Sequence, residues 1–283
     1  MHVGADNPRL SFTTLACPDW TLEEIVNRAV EYGYGGVEFR GLLDQVDITL
    51  RPEFRGPRLV ETARLLREAG LEVPALGSSV HCIPPQDPEE RRRQDNEFRR
   101  YVEVAVGLGA PFVRLFGGTI PDGVSREEAV KMAAERLRGL ADLASEAGIA
   151  VVVESHDSFS RGRDLRAVLQ AAEHPAANAL WDVFNSQIPG GETLVESYEA
   201  IRPWLRHTHI KDGVIEGGHW EYTPLGQGRI AYGDVFAWLK RDGYTGWLSV
   251  EWEKRWHPEL APPEEILPQY AKVIRELWEH AEI

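Results

Sequence analysis

One pattern of apolar and polar positions recurs along this chain: an amphipathic helical tail closes on a glycine, and an apolar, β-branched run begins a few residues later. The instances are VEYGYGGVEFR, LREAGLEVPAL, VGLGAPFVRLF, SEAGIAVVVES and RDGYTGWLSVE, with Gly33, Gly70, Gly109, Gly148 and Gly243 placed to take the left-handed conformation that ends a helix. Each is a helix-to-strand joint. Together with the runs that lack the joint, the pattern predicts eight strands: Leu10–Leu15, Gly36–Arg40, Val73–Val80, Phe112–Gly117, Ile149–His156, Ala179–Ser186, Arg206–Asp212 and Trp247–Glu253. Capping boxes at Thr21/Glu24 and Ser125/Glu128 mark helix starts independently. Eight alternating units predict an α/β fold, a single (β/α)8 TIM barrel over residues 1–283. Residues 1–9 are expected to be an N-terminal extension. Residues 213–231, rich in Gly and turn formers, are expected to form a long loop after strand seven that overhangs the barrel mouth.

Four of the predicted strands end in residues that ligate metals well: Glu154, Asp182, His209 and Glu251. They stand 28, 27 and 42 residues apart, and one strand-helix-strand unit is about 30 residues long. Each would therefore sit at the same height on successive strands, at the C-terminal face where barrel enzymes place their chemistry. Buried carboxylates need compensation, and a divalent cation supplies it directly. Three carboxylates with one imidazole form a mostly hard donor set, which points to one Mn²⁺, with Mg²⁺, Co²⁺ or Zn²⁺ as substitutes. Of the two imidazoles in RHTHIKD, His209 is preferred over His207 because it lies nearer the strand end. His156, Lys211 and Arg255 follow closely on ligands and are candidates to grip substrate hydroxyl or carbonyl oxygens. Most of the large aromatics, among them Trp20, Trp181 and Trp220, are expected to pack the core, whereas Trp252 and Trp256, flanking Glu251, are candidate walls for a sugar ring.

Composition narrows the partners. A formal net charge of -14 disfavours a nucleic-acid face, and small molecules are the expected partners. The first residues lack the basic and apolar regions of a secretory signal, and no apolar run reaches membrane-spanning length, so a cytoplasmic protein without membrane contact is expected. Cys17 and Cys82 read as isolated buried thiols. The pattern leaves the oligomeric state open, a homo-oligomer included.

At these residues the chain resembles the xylose isomerase-like superfamily of sugar isomerases and epimerases, from GYGGVEFR to GYTGWLSVEWE, with HIKD followed by PLGQGRIAYGDVFAWLKRDGYTGWLSVE as the most specific stretch. The resemblance implies metal ligation by Glu154, Asp182, His209 and Glu251, with Glu154 and Glu251 also serving as acid/base groups on opposite sides of the substrate. It implies an isomerase or epimerase working by proton abstraction beside a carbonyl, or a lyase or dehydratase that shares that first step. Similar ketose 3-epimerases carry a His three residues after the Asp ligand. This chain has Asn185 there, a candidate substrate contact, and its EWEKRWHPEL segment also departs from their pattern. Two further classes fit less well: an abasic-site endonuclease, which needs more histidine ligands and a basic groove, and a non-catalytic subunit whose metal only ties the mouth together.

Overall fold

The computed structural model describes residues 7–282. All five joint glycines have positive φ, between 67° and 76°, so each helix turns sharply into the strand that follows. The parallel strands are β1 (Arg9–Thr13), β2 (Gly36–Glu38), β3 (Leu76–His81), β4 (Phe112–Phe116), β5 (Ala150–Glu154), β6 (Ala177–Asp182) and β7 (Leu205–Ile210), and the eighth, after a hairpin β8 (Asp212–Glu216) and β9 (His219–Thr223), is β10 (Trp247–Val250). The sheet runs β2-β1-β10-β7-β6-β5-β4-β3. Parallel bridges Gly36 to Glu72 and Phe39 to Leu76 bring its two ends together and close the barrel.

The outer ring is α1 (Leu22–Glu31), α2 (Gly56–Glu68), α3 (Pro88–Leu108), α4 (Arg126–Glu146), α5 (Gly162–Ala172), the short α6 (Val183–Gln187), α7 (Leu194–Ile201), α8 (Tyr232–Arg241) and α9 (Pro263–His280). In α1 the buried positions are Leu22, Ile25, Val26 and Ala29, one helical stripe laid on the sheet. The Thr21 box is complete, with Thr21 N–H donating to Glu24 Oε2 at 2.8 Å and Glu24 N–H to Thr21 Oγ1 at 3.3 Å. The Ser125 box is half formed: its hydroxyl accepts the Glu128 N–H, and no return bond from the Glu128 carboxylate accompanies it. No helix among the described residues is long and apolar enough to cross a membrane.

The structure corrects the expected bounds, most usefully near the site. The sixth strand stops at Asp182 rather than Ser186, because the Asp182 carboxylate accepts the Asn185 N–H at 2.8 Å and caps α6. The eighth stops at Val250, so Glu251 and the residues after it lie in a loop. Residues 213–231 are mostly an antiparallel hairpin, turned by Gly217 and Gly218 with φ of 57° and 86°. Of the expected N-terminal extension, residues 1–6 lie outside the described residues, and β1 begins at Arg9.

Candidate active site

Parallel pairing sets the heights of the four strand ends. Asp182 is in register with His209, His209 with Ser249, and the Glu251 N–H donates to Ile210 O at 3.0 Å. Inward-facing positions alternate along each strand, so Glu154, Asp182, His209 and Glu251 converge at the C-terminal mouth. One donor atom from each lies within 4.8 Å of all the others, and none of the four residues is more than 4% exposed.

His209 organises the cluster. Its Nδ1 faces Glu154 Oε1 at 3.1 Å and Glu251 Oε1 at 3.2 Å, and its Nε2 faces away, towards Glu38 Oε1 at 3.1 Å. Glu38, at the end of β2, also meets His207 Nε2 at 2.8 Å and accepts the Ser249 hydroxyl at 2.8 Å. The ring is thus oriented from behind by a carboxylate and presents Nδ1 to Glu154 and Glu251, the arrangement that carboxylate-backed histidine ligands use. Sequence reasoning missed Glu38. The available signal was VEFR, a strand-like run with a carboxylate near its end, as at Glu154, Asp182 and Glu251.

Burial pushes the Asp182 carboxyl up to about 7, against the opposing charge of Lys211. For Glu38 burial acts in the same upward direction, but His209 and His207 outweigh it and hold the carboxyl well below its ordinary range. Glu251 is likewise held low, burial being overcome by His209 and Lys211. His209 is raised: burial disfavours its charge, while Glu251, Glu38 and Glu154 favour it more strongly. A dense anionic cluster built this way attracts a cation.

The donor set fits a divalent cation. Glu154 Oε2 is buried without a hydrogen-bond partner, and donors about 2.1 Å from one ion lie within roughly 4.2 Å of each other, so this cluster would draw in only slightly. Cavity size does not locate the site: none of the four residues lines the cavity of about 440 Å³ between α3 and α4 or the smaller one of about 350 Å³ beside His156, so the donor chemistry locates it.

The predicted substrate contacts divide. Lys211 is fully buried, with Nζ 2.8 Å from Asp182 Oδ2, 2.6 Å from Glu251 Oε2 and 2.6 Å from Glu253 Oε1. The Asn185 side-chain amide donates to Asp182 Oδ2 at 2.8 Å. His156 tilts against Phe116 at 4.8 Å between ring centroids. His156 and Asn185 line a cavity of about 350 Å³ with Trp220 and Tyr222 of the hairpin and with Glu253. Two candidates are placed elsewhere. Trp252 faces outward, because it is one residue from the inward Glu251, and its buried indole N–H donates to Ala261 O at 3.0 Å. Arg255 turns under the β1 and β2 loops, where Nη2 donates to Leu43 O at 2.5 Å. Trp220, expected in the core, is 49% exposed and walls the cavity, a position set by the hairpin, within the segment 213–231 expected to overhang the mouth.

Asp212 gathers the base of the hairpin, which Gln269 and Tyr270 of α9 also hold by donating to Leu225 O and Thr223 O. The Asp212 carboxylate accepts the N–H groups of Gly213, Gly226, Gly228 and Ile230 at 2.9 to 3.3 Å. Removing it leaves four amides without that acceptor, so Asp212→Ala is expected to cost about 2–4 kcal/mol. Amide hydrogen exchange should then accelerate across residues 213–230 before the barrel strands change; uniform protection would show that the tether is dispensable.

A family model described as a xylose isomerase-like TIM barrel matches residues 26–277. The chain is 25% identical over 220 residues to 2-oxo-tetronate isomerase of Pectobacterium atrosepticum, covering 72% of this chain and 79% of that one. It is 26% identical over 172 residues to inosose dehydratase of Bacillus anthracis, covering 54% and 56%. A crystal structure of IOLI protein with a bound zinc atom superposes with a TM-score of 0.82 over 97% of this chain and 99% of that one, at 18% identity, a likeness of fold.

Proposed function

This chain belongs to the xylose isomerase-like TIM-barrel family, and on that premise we propose that it is a divalent-metal-dependent isomerase or epimerase of a sugar or polyol ketone. The observation that carries the reading is the buried convergence of Glu154, Asp182, His209 and Glu251, with both glutamates at the Nδ1 edge of the His209 ring. Held by these four, a divalent cation, Mn²⁺ first given the carboxylate-rich set, would acidify the C–H between a ketone and a hydroxyl and stabilise the resulting enediolate. Glu154 and Glu251 supply the proton transfer: one carboxylate takes the proton from carbon and the other returns one. Return to the opposite face of the same carbon gives an epimer, and return to the neighbouring carbon gives an isomer. Lys211, spanning Asp182 and Glu251, fixes both carboxylates, and His156 and Asn185 face the cavity where substrate hydroxyls would lie. The Trp220 and Tyr222 wall limits water at the reacting carbons.

A second reading rests on the likeness to inosose dehydratase: with a hydroxyl β to the carbanion, the same proton removal ends in loss of water. Product mass separates the two, since isomers conserve it and a dehydration product is lighter by one water. Elemental mass spectrometry of purified protein is expected to find roughly one divalent ion per chain, lost in Glu154→Gln and His209→Ala. Absence of any ion after reconstitution would sink the mechanism.

A further inference from the structure

On the β2 and β4 side of the mouth, two guanidiniums take no part in the chemistry described above. Arg40, 7% exposed, follows Glu38 by two residues and shares its inward face; Arg114, 1% exposed, lies on β4 in register with Gly77 and Val152. Neither side chain donates a hydrogen bond within protein geometry among the described residues, and Arg40 Nη1, Arg114 Nε and Arg114 Nη1 are buried without an acceptor. The nearest anion to Arg114 is Glu154 Oε2, 3.4 Å from Nε. The Arg114 guanidinium carbon lies 3.8 Å above the Phe116 ring, and that of Arg40 lies 5.9 Å from the same ring. Both arms converge where β3 has no side chain: a Cβ on Gly77 would meet Arg40 Cδ at 2.7 Å and Arg114 Nη2 at 3.0 Å.

Two like charges desolvated side by side, with donors unspent, are costly unless an anion joins them. A purely structural arginine pair would have its donors taken by carbonyls or carboxylates, as Arg136 Nε donates to His81 O at 2.9 Å. The planar guanidinium fork matches a carboxylate in two parallel hydrogen bonds. Its position beside Glu154 would put that carboxylate next to the carbon that loses its proton.

We propose that Arg40 and Arg114 seat a carboxylate of the substrate, so that the substrate is a sugar-derived keto acid whose carboxylate adjoins the reacting carbonyl. The inference deepens the isomerase reading and rests on it for the placement of the reacting carbon.

The test is isothermal calorimetry on the purified protein with two ligands that differ in one group: the ketose erythrulose, and the keto acid with a carboxylate in place of its C1 hydroxymethyl group. A cation itself attracts carboxylates, so binding is measured both with Mn²⁺ loaded and in cation-free protein. The keto acid is expected to bind at least ~10-fold more tightly in both forms. Arg40→Met and Arg114→Met should each weaken its binding ~10- to 100-fold while leaving erythrulose nearly unchanged. Arg40→Lys, which keeps the charge and loses the fork, should fall between; it also serves if the methionine variant does not fold. Equal binding of the two ligands by cation-free wild type, or equal loss of both in Arg40→Lys, would overturn the proposal. Stronger displacement of the keto acid by inorganic phosphate than by formate would overturn it too, in favour of a phosphate. Turnover is read separately: carboxylate-dependent binding without conversion of either ligand supports the seat and counts against the isomerase reading.

Discussion

Glu251→Gln is expected to reduce turnover by about 10³-fold, within the 10²- to 10⁴-fold range that a positioned acid/base group contributes, while leaving the protein folded. The substitution keeps the shape of the side chain and an oxygen that can accept from Lys211 Nζ, now 2.6 Å from Glu251 Oε2. It removes one of two carboxylates that disfavour each other's ionisation: burial and then the charge of Glu251 push the Glu154 carboxyl up, while Arg114 and His209 outweigh them and hold it below its ordinary range. Lys211 would still pair with Asp182 at 2.8 Å and Glu253 at 2.6 Å, so no buried charge is stranded. A melting temperature close to wild type and a retained ion, with turnover lost, identify a catalytic group. A melting temperature that collapses in step with activity would favour the alternative in which the cluster only ties the barrel mouth together.

Glu38→Ala should act in the opposite way, on stability and cation affinity more than on proton transfer. Glu38 touches no substrate in the proposed scheme; it holds His207 Nε2 at 2.8 Å, His209 Nε2 at 3.1 Å and the Ser249 hydroxyl at 2.8 Å, all in the barrel interior. Removing one member of a buried charged network typically costs about 3–5 kcal/mol because the partners are left uncompensated. Loss of the carboxylate behind a histidine ligand typically weakens metal binding about 10- to 100-fold. Both effects are readable without substrate: calorimetric unfolding gives the stability, and competition with a chelator gives the affinity. Unchanged cation affinity would show that His209 is oriented by the barrel alone. Glu38→Gln separates charge from shape, since its amide can accept from one histidine but carries no charge to favour either imidazolium.

The two variants also mark how much of the site could be read along the chain. Glu154, Asp182, His209 and Glu251 were legible because each ends a strand-like run, and their spacing matches a repeating unit. Glu38 ends such a run too, but lies more than a hundred residues away from Glu154, and only barrel closure through the Phe39 to Leu76 bridge and the β1 to β10 pairing sets it behind His209. Trp252 misled because proximity to a ligand in sequence says nothing of side-chain direction: adjacent residues in extended chain point to opposite faces, and its indole ends against Ala261 O. Arg255 failed likewise: the strand ends at Val250, and the loop beyond Glu251 carries Arg255 away to Leu43 O.

By itself, the sequence determined the local events: five helices ending on left-handed glycines, the Thr21 cap, the alternation of units and therefore the barrel. Those depend on interactions within a few residues, which composition and periodicity record. Tertiary structure alone decided that Glu38 backs His209, that Lys211 bridges Asp182 to Glu251 and Glu253, that a hairpin tethered by Asp212 brings Trp220 over the cavity, and that Arg40 meets Arg114 beside Gly77. Each joins residues from different strands or loops, and their separations are fixed by strand register and barrel closure, distances that no local pattern encodes.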